Sequence, residues 1–564
     1  MITKINRTKK WMLCTALSIF HLSLFTSCND FLDILPTNQV VLENYWTEKG
    51  DVSSVMTGCY AALENSDALA RLVVWGELRS DNVRLGASVP NEINEILKEN
   101  LLPSNAYCNW AKIYDCINRC NTVCYYAPTV QAIDPNYSED EMKANVAEAV
   151  TLRSLCYFYL IRAFRDVPYS TEPSISDAQN YILPATPFEQ VLDSLITSLE
   201  LVKDDAVRRY FQDDSPNAYQ NSSKITRWAV YALLADLNLW KGDWDEAIKY
   251  CDLVIDFKRL QYKEMLEREG NVNNIDLIDS IPMILEKPLG STVCGNTYNE
   301  IFGEGNSFES IFELYFNNDN SWVSSYYGDN QNVMGRLSCP DFIAKDVASG
   351  NGSIFKRTDG RAYEGTELSN SSYAISKYTR RSVSYDTKNV STDKDLKLSA
   401  SRRSSSDANW IFYRLSDMIL IKAEALIERG LEGDWDNAFA LIDIVNKRAN
   451  DAVNGNRSST LKKADYIDTK ASMEQLLFEE RQREFLFEGK RWFDLVRMAR
   501  RDGNTTRMVQ LVTRKYIENV NAIKIKLADP NIIYFPYAKS ELKVNPLLKQ
   551  NPAFTTGEDS ELTK

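Results

Sequence analysis

Two distant stretches of this chain spell the same local instruction, and that instruction is helical. Lys224–Asp256 reads KITRWAVYALLADLNLWKGDWDEAIKYCDLVID, and Tyr413–Arg448 contains GLEGDWDNAFALIDIVNKR. Each is an apolar helix, a tight turn and a second amphipathic helix. The turns align as Gly242-Asp243-Trp244-Asp245 with Ala247, and Gly433-Asp434-Trp435-Asp436 with Ala438. Glycine ends the first helix because it takes a left-handed backbone freely, and Asp243 or Asp434 can cap the second. The alanines let paired helices approach closely. A pair of this kind cannot bury its faces alone and must stack on neighbours, so the chain is expected to be mainly α.

This is the logic of a tetratricopeptide-type helix pair. A third helix is predicted over Glu141–Phe164, stopped before Pro168, with a partner opening after Pro187. The pairs at 224–256 and 413–448 are not contiguous. Between them, about 257–409, lies a polar, aromatic-rich stretch with NNDNSWVSSYYGDNQNV and a Ser/Arg-rich run at Ser399–Ser406. It is too long for a plain connection inside a compact domain, so it reads as functional loops or an inserted subdomain.

The first residues have a different purpose. Lys4, Arg7, Lys9 and Lys10 open the chain without an acid, the apolar run Trp11–Phe25 follows, and Thr26 and Ser27 precede Cys28. This is the layout of a secretory signal over residues 1–27, and its apolar run is short for a membrane span. A cysteine at the cleavage point implies lipid attachment to Cys28, which would anchor the chain by burying acyl chains. The match has flaws: Leu24 sits one place early and Phe25 stands where an aliphatic residue is usual. The alternative is an uncleaved signal anchor.

The formal net charge is −13, and losing the basic leader makes the body more acidic. No nucleic-acid binding is expected of such a body. The single histidine, His21, lies in the leader. Without it, Ser-His-Asp and Cys-His catalysis and His-ligated zinc or iron are excluded. No cofactor or metal is expected, whereas carboxylate-only glycoside hydrolysis survives the filter. Cys116, Cys120 and Cys124 recur every four residues with Cys108 eight before, a stripe on a helix. With no C-x-x-C pair they read as buried free thiols.

The densest pattern is MEQLLFEERQREFLFEGKRWFDLVRMA, residues 473–499. Met473, Leu476, Leu477 and Phe487 form a helical stripe, and Glu480 and Glu484 fall in its centre. Carboxylates facing a core must be paired, and Arg481, Arg483, Lys490 and Arg491 are available. The sharper alternative makes Glu480 and Glu484 a glycosidase pair. Two carboxylates sharing one helix face argue against it, because such a pair must face each other across a substrate.

From Glu480-Arg481-Gln482-Arg483-Glu484 through Gly489-Lys490-Arg491-Trp492-Phe493-Asp494, this run resembles the hallmark of the SusD/RagB family of Bacteroidetes surface lipoproteins. Cys28-Asn29-Asp30-Phe31-Leu32-Asp33 resembles the family's mature start. Tyr45-Trp46-Thr47, Gly58-Cys59-Tyr60, Asn118-Arg119-Cys120-Asn121, Asp166-Val167-Pro168 and Phe308-Glu309-Ser310-Ile311-Phe312-Glu313-Leu314 follow in order. Arg414-Leu415-Ser416-Asp417, Tyr534-Phe535-Pro536 and Asn545-Pro546 complete the series. The sequence departs from the pattern at Arg165, where the family usually has glycine, and at Tyr537-Ala538-Lys539.

The resemblance implies a SusD-like fold: a helix-pair scaffold with an irregular, loop-rich half that carries the ligand surface. It divides the chain into the signal 1–27, an N-terminal region 28–220 and a C-terminal region 221–564. It implies a lipid-anchored outer-membrane protein at the cell surface, with no enzymatic activity. Such a protein captures oligosaccharides or peptides for a SusC-like TonB-dependent transporter. Glu480, Arg483, Glu484, Gly489, Arg491 and Asp494 are its structural signature. Sugar rings lie on aromatic faces and their hydroxyls need polar partners. The resemblance places Trp75 with Asp81, Asn82 and Arg84 in a region near the ligand, and aromatics in polar loops add Tyr107 and Asn109, then Trp322, Tyr326 and Tyr327. Helix tryptophans such as Trp228, Trp244, Trp435 and Trp492 are assigned to packing. Two rivals remain at this point, an envelope glycosidase and a scaffold that binds only protein.

Overall fold

The structure is a computed structural model that describes residues 45–555, apart from 177–178, 180, 214, 273, 290–291, 318–321, 330, 345–352, 370, 387–396 and 451–457. The leader and Cys28 lie outside the described residues. The principal helices are α1 (Lys49–Glu64), α2 (Ser66–Val73), α3 (Ala111–Ile133), α4 (Glu139–Phe164), α5 (Phe188–Val202) and α6 (Arg227–Lys241). They continue as α7 (Trp244–Glu269), α8 (Leu415–Arg429), α9 (Asp434–Ala449), α10 (Lys470–Glu484) and α11 (Arg491–Asp502). The fold is mainly α, as expected. Packing runs in series: α1 on α3, α3 on α4, α4 on α5, α5 on α6, α6 on α7, α7 on α8, and α8 on α9 and α10.

The two repeated turns fold by related but unequal chemistry. In the first, Gly242 takes φ +84 at the end of α6, and Asp243 caps α7 by accepting the Glu246 N–H at 3.3 Å. In the second, Gly430 rather than Gly433 ends α8, at φ +65. Gly433 itself occupies the cap position of α9, and Asp434 is already in its first turn. Asp434 instead accepts the Leu431 N–H at 3.0 Å and pairs with Arg429 at 2.7 Å. The extra turn of Gly430–Gly433 moves the cap by one residue.

The third predicted helix is α4, which opens at Glu139 under a Ser138–Glu141 capping box. Every residue of it from Ala147 to Phe164 is buried. The cysteine stripe is partly redrawn. Cys116, Cys120 and Cys124 lie on α3, but Cys108 sits in a separate short turn, Ala106–Cys108, ahead of it. Cys116 and Cys120 are buried with Cys59 of α1 and Cys156 of α4, and all four are free thiols. The last turn of the signature is also not helix: α10 ends at Glu484, and Phe487 adopts φ +65. Phe487 is nonetheless fully buried, reached by a turn rather than by helical phase.

Between α7 and α8 the chain is short strands and loops. Ser310–Leu314 pairs antiparallel with Trp410–Arg414, and both strands are buried along their whole length. Thr292–Cys294, Arg380–Asp386 and Lys397–Arg402 belong to one small antiparallel sheet. Arg84–Leu85, Leu337–Cys339, Ser372–Ile375 and Thr366–Ser369 form another. One continuous apolar core runs from Trp46 to Leu548 and includes residues of both the helix pairs and these strands.

Candidate functional site

The C-terminal signature is a buried ion-pair network. Glu480 accepts from Arg483 at 2.9 Å and from Arg361 at 2.8 Å. Glu484 is bound by Arg361 at 2.8 Å, by Arg414 at 2.5 Å and by Arg448. Burial alone would push the Glu484 carboxyl up, but Arg448, Arg414 and Arg361 hold it well below the usual carboxylate range. The other expected partners serve other acids: Arg481 binds Asp494 at 2.8 Å, Lys490 binds Asp417 at 2.7 Å and Arg491 binds Asp81 at 2.8 Å. The half of the network that sequence spacing hides, Arg361, Arg414 and Arg448, comes from the insert, its closing strand and α9. Glu480 and Glu484 are 0% and 2% exposed with their oxygens occupied, so no substrate can reach between them.

This network also takes the first group of ligand candidates. Trp75-Gly76-Glu77-Leu78 is a widened turn following α2, and it docks directly on the signature. Glu77 accepts the Gly489 N–H at 2.9 Å and the Asn82 amide at 2.8 Å. The Gln482 amide donates to Asp81 at 3.1 Å and Asn82 at 2.9 Å. Trp75, Asp81 and Asn82 are fully buried, so they join the halves of the chain and present no face to a ligand. Arg84 is half-buried and pairs with Asp341 at 2.7 Å.

The second and third groups fare similarly. Tyr107 and Asn109 are half-buried, and the Tyr107 hydroxyl meets that of Tyr326 at 3.0 Å. Trp322 is 2% exposed, donates to the Ala408 carbonyl at 2.8 Å and packs edge-on to Trp410. Tyr326 and Tyr327 are equally buried, and the Tyr327 hydroxyl donates to the Phe487 carbonyl at 2.9 Å. The Asn/Ser-rich text around these rings suggested an exposed loop. A short helix, Trp322–Tyr326, instead turns them into the core.

A different set of residues lines an open cleft of about 860 Å³ where α6 and α7 meet the insert, a size that suits a small-molecule ligand. Its walls carry two aromatic pairs. Trp228 from the first turn of α6 stacks on Phe257 of α7, with centroids 4.0 Å apart and planes at 10°. Tyr219, before α6, faces Tyr315, just past the buried strand, at 4.7 Å. Trp228 is aimed by its indole N–H, which donates to the Arg208 carbonyl at 3.0 Å. Tyr219, Trp228, Phe257, Phe308 and Tyr315 are all half-buried, each with part of its surface left open.

Polar groups sit between the rings. Arg208, Arg209, Asp213, Asn274, Glu300 and Glu304 line the cleft. Glu300 accepts the Asn274 amide at 2.8 Å, and burial raises its carboxyl above the ordinary value. Lys258 forms the floor, donating to the Phe308 carbonyl at 2.5 Å and that of Ser310 at 3.1 Å, and burial pushes its ammonium down to about 8. Thr226 Oγ1 and Asp213 Oδ2 have no hydrogen-bond partner among the described residues. The turn at Gly305, with φ +79, brings the chain under Asn409 so closely that a Cβ there would lie 2.2 Å from its amide nitrogen. Asn306 follows at φ +50, a conformation asparagine tolerates, and its amide meets the Ser222 hydroxyl at 2.9 Å.

Sequence reasoning missed this set. Trp228 sits on a helix and reads as packing, yet it is only half-buried. The usable signal was position: Tyr219 and Trp228 flank the start of the first repeated pair, and Phe308 and Tyr315 flank the strand that returns beside it.

Two family models match the chain in tandem. The one described as "Starch-binding associating with outer membrane" covers residues 30–239, and the SusD family model covers residues 295–554. A SusD-like protein of Formosa agariphila is 24% identical over 95% of this chain and 98% of its own. Among solved structures, a SusD superfamily protein from Bacteroides thetaiotaomicron superposes with TM-score 0.64 at 20% identity, covering 90% of this chain and 99% of that one. Surface glycan-binding protein A from Bacteroides uniformis superposes with TM-score 0.59 at 19% identity, over 90% of this chain and all of that one. With the signature network in place and both models matched in order, the chain belongs to the SusD/RagB family.

Proposed function

We propose that this protein is a cell-surface glycan-binding protein that captures oligosaccharides in the cleft between α6, α7 and the insert, without transforming them. The observation that carries this reading is the cleft wall itself: two aromatic pairs, each ring part-exposed, set among carboxylates, amides and arginines. A sugar ring has an apolar face that lies on such rings, and hydroxyls that bind such groups. Outer-membrane association in the family model's description and the glycan-binding name of a structural neighbour support the same reading.

The remaining parts of the proposal follow from family membership. The leader 1–27 is cleaved, a lipid on Cys28 holds the body at the outer face of the outer membrane, and a SusC-like TonB-dependent transporter receives the glycan. No helix among the described residues is long and apolar enough to cross a membrane, which suits a lipid tether. Regions 28–220 and 221–564 both contribute to the cleft, through Tyr219 and through Trp228 and Tyr315 respectively.

The test is an affinity screen of the mature chain against oligosaccharides and peptides, with turnover followed on every binder. Binding of a glycan that is recovered intact is expected. Peptide binding alone, or cleavage of the glycan, would overturn the assignment. A second arm replaces Cys28 by Ala in cells, and the protein should leave the membrane fraction.

A further inference from the structure

Segment 514–549 reverses the charge of the body. It carries seven lysines and arginines against three acids, in a chain whose net charge is −13. Lys524, Lys526, Lys539, Lys543 and Lys549 are all exposed. None of these five has an ion pair with a described residue. Lys526 Nζ donates instead to the Glu99 carbonyl at 3.3 Å and to the Asn100 amide oxygen. The acids of the segment are Glu518, Asp529 and Glu541. The adjoining strip 97–103 adds Lys98, while its Glu99 is committed to the buried Arg79 at 2.6 Å.

The same surface is apolar. Of the sixteen large apolar side chains exposed among the described residues, seven lie on this segment and on two strips beside it, so the exposure is concentrated. In the short helix Val520–Leu527, Ile523 and Leu527 turn into the core. Ile525, 76% exposed, turns outward between Lys524 and Lys526. Ile517 is 85% exposed, and Val544, which ends the short helix Lys539–Val544, is 67% exposed. Hydrogen bonds gather the strips. The Tyr516 hydroxyl donates to the Leu97 carbonyl, the Lys539 N–H to that of Pro103 and the Asn545 amide to that of Leu183, each at 2.8 Å. They set Leu102 and Ile182, both exposed, alongside the segment.

We propose that this face rests on an anionic lipid bilayer. Its lysines meet headgroup phosphates, and Ile517, Ile525 and Val544 enter the headgroup boundary. Unpaired lysines beside exposed aliphatic side chains are what an interfacial contact needs. A protein partner would favour arginine and aromatic rings over lysine, the reverse of this composition. The proposal rests on the outer-membrane reading above and is independent of the cleft. Seventeen residues separate Cys28 from Tyr45 and span up to about 60 Å when extended, so tether and face can meet one bilayer together.

The test sediments the full mature chain carrying Cys28→Ala, which has no acyl group, with vesicles. One set is phosphatidylcholine alone, and the other has an equal part of phosphatidylglycerol. Binding to the anionic set should be at least about tenfold tighter and should fall as salt rises. Because no lipid anchor takes part, this outcome is separate from the fate of the anchoring reading. The face alone is a reversible contact, so washed cells still lose the Cys28→Ala chain. Adding Lys524→Glu with Ile525→Asn should weaken vesicle binding about tenfold, and both side chains are exposed, so the core stays intact. Lys143→Gln should change it less than about twofold. Lys143 lies about 30 Å along α4 from Ala163, whose carbonyl accepts the Phe535 N–H at 2.8 Å. Equal binding to the two vesicle sets, or none, overturns the proposal. Undiminished binding by the Lys524→Glu, Ile525→Asn chain also overturns it, and loss of a co-purifying transporter by that chain would then give the face to a protein.

Discussion

At the scale of single residues, the chain is held together by positions that tolerate little. Gly76 and Gly489 meet backbone to backbone, and a Cβ on Gly76 would fall 1.9 Å from the Gly489 carbonyl oxygen. Gly489 also adopts φ +69 against the Trp410 ring. Gly76→Ala is expected to cost about 3 kcal/mol or more, read as a lowered denaturation midpoint, since neither backbone can retreat from a packed core. Arg414 bridges Glu484 and Glu488 in a site that is 1% exposed. Arg414→Met would leave Glu484 to Arg361 and Arg448 and Glu488 to Lys377, weakening the pairing of two buried carboxylates, and should cost about 3 kcal/mol. Arg165 is the opposite case. It holds φ +69, the conformation glycine adopts freely, where the family usually has glycine. Arg165→Gly should relieve strain and raise stability by up to about 1 kcal/mol, offset in part by its exposed pair with Asp166.

At the scale of elements, the helices were legible because their instructions are local. Periodicity located α4, α6, α7 and α9, and Gly242 with Asp243 marked the first hairpin to the residue. The second hairpin shows the limit: Gly430 and Gly433 both take positive φ, and sequence alone did not say which one ends the helix. Asp243→Ala removes the acceptor for the Glu246 N–H and should cost about 1 kcal/mol. Asp434→Ala should act through both the lost Arg429 pair and the lost acceptor for the Leu431 N–H, so part of its effect should shrink in high salt while that of Asp243→Ala persists. The strands and the aromatic loops were not legible. Trp322, Tyr326 and Tyr327 sit in polar sequence, and their burial depends on Trp410, Tyr378 and Phe487, which lie far along the chain. Polar neighbours describe the sequence around a ring, whereas burial is decided by what folds onto it.

At the scale of the whole molecule, the acidic body is stabilised by buried charge, and its pH dependence should show this. Glu424 and Glu488 are buried, which raises their carboxyls, but Arg497 and Arg414 respectively bring each down to about 2. They bind fewer protons folded than unfolded, so their stabilisation is present above pH 4.5 and is lost on acidification toward pH 2. Burial pushes Glu77 and Glu313 up to about 7 and Glu286 to about 8. These bind more protons folded than unfolded, so stability falls as pH rises from about 4.5 to 8. Thermal melting across pH 2–9 should therefore peak near the ordinary carboxylate value, and a peak above pH 8 would contradict the assignment. The family was legible at this scale because its motifs are spread along nearly the whole chain. The cleft proposed to bind the glycan was not, because it is assembled from Tyr219, Trp228, Phe257 and Tyr315, which share no motif.

The cleft between α6, α7 and the insert is where we propose that the protein meets its glycan. Calorimetric titration of Trp228→Ala and Tyr315→Ala with whichever oligosaccharide the unaltered chain binds tests it most directly. Each variant should lose at least about tenfold in affinity, equivalent to about 1.4 kcal/mol, while melting as a folded protein. Undiminished affinity in both variants would contradict the claim and move the site elsewhere on the molecule.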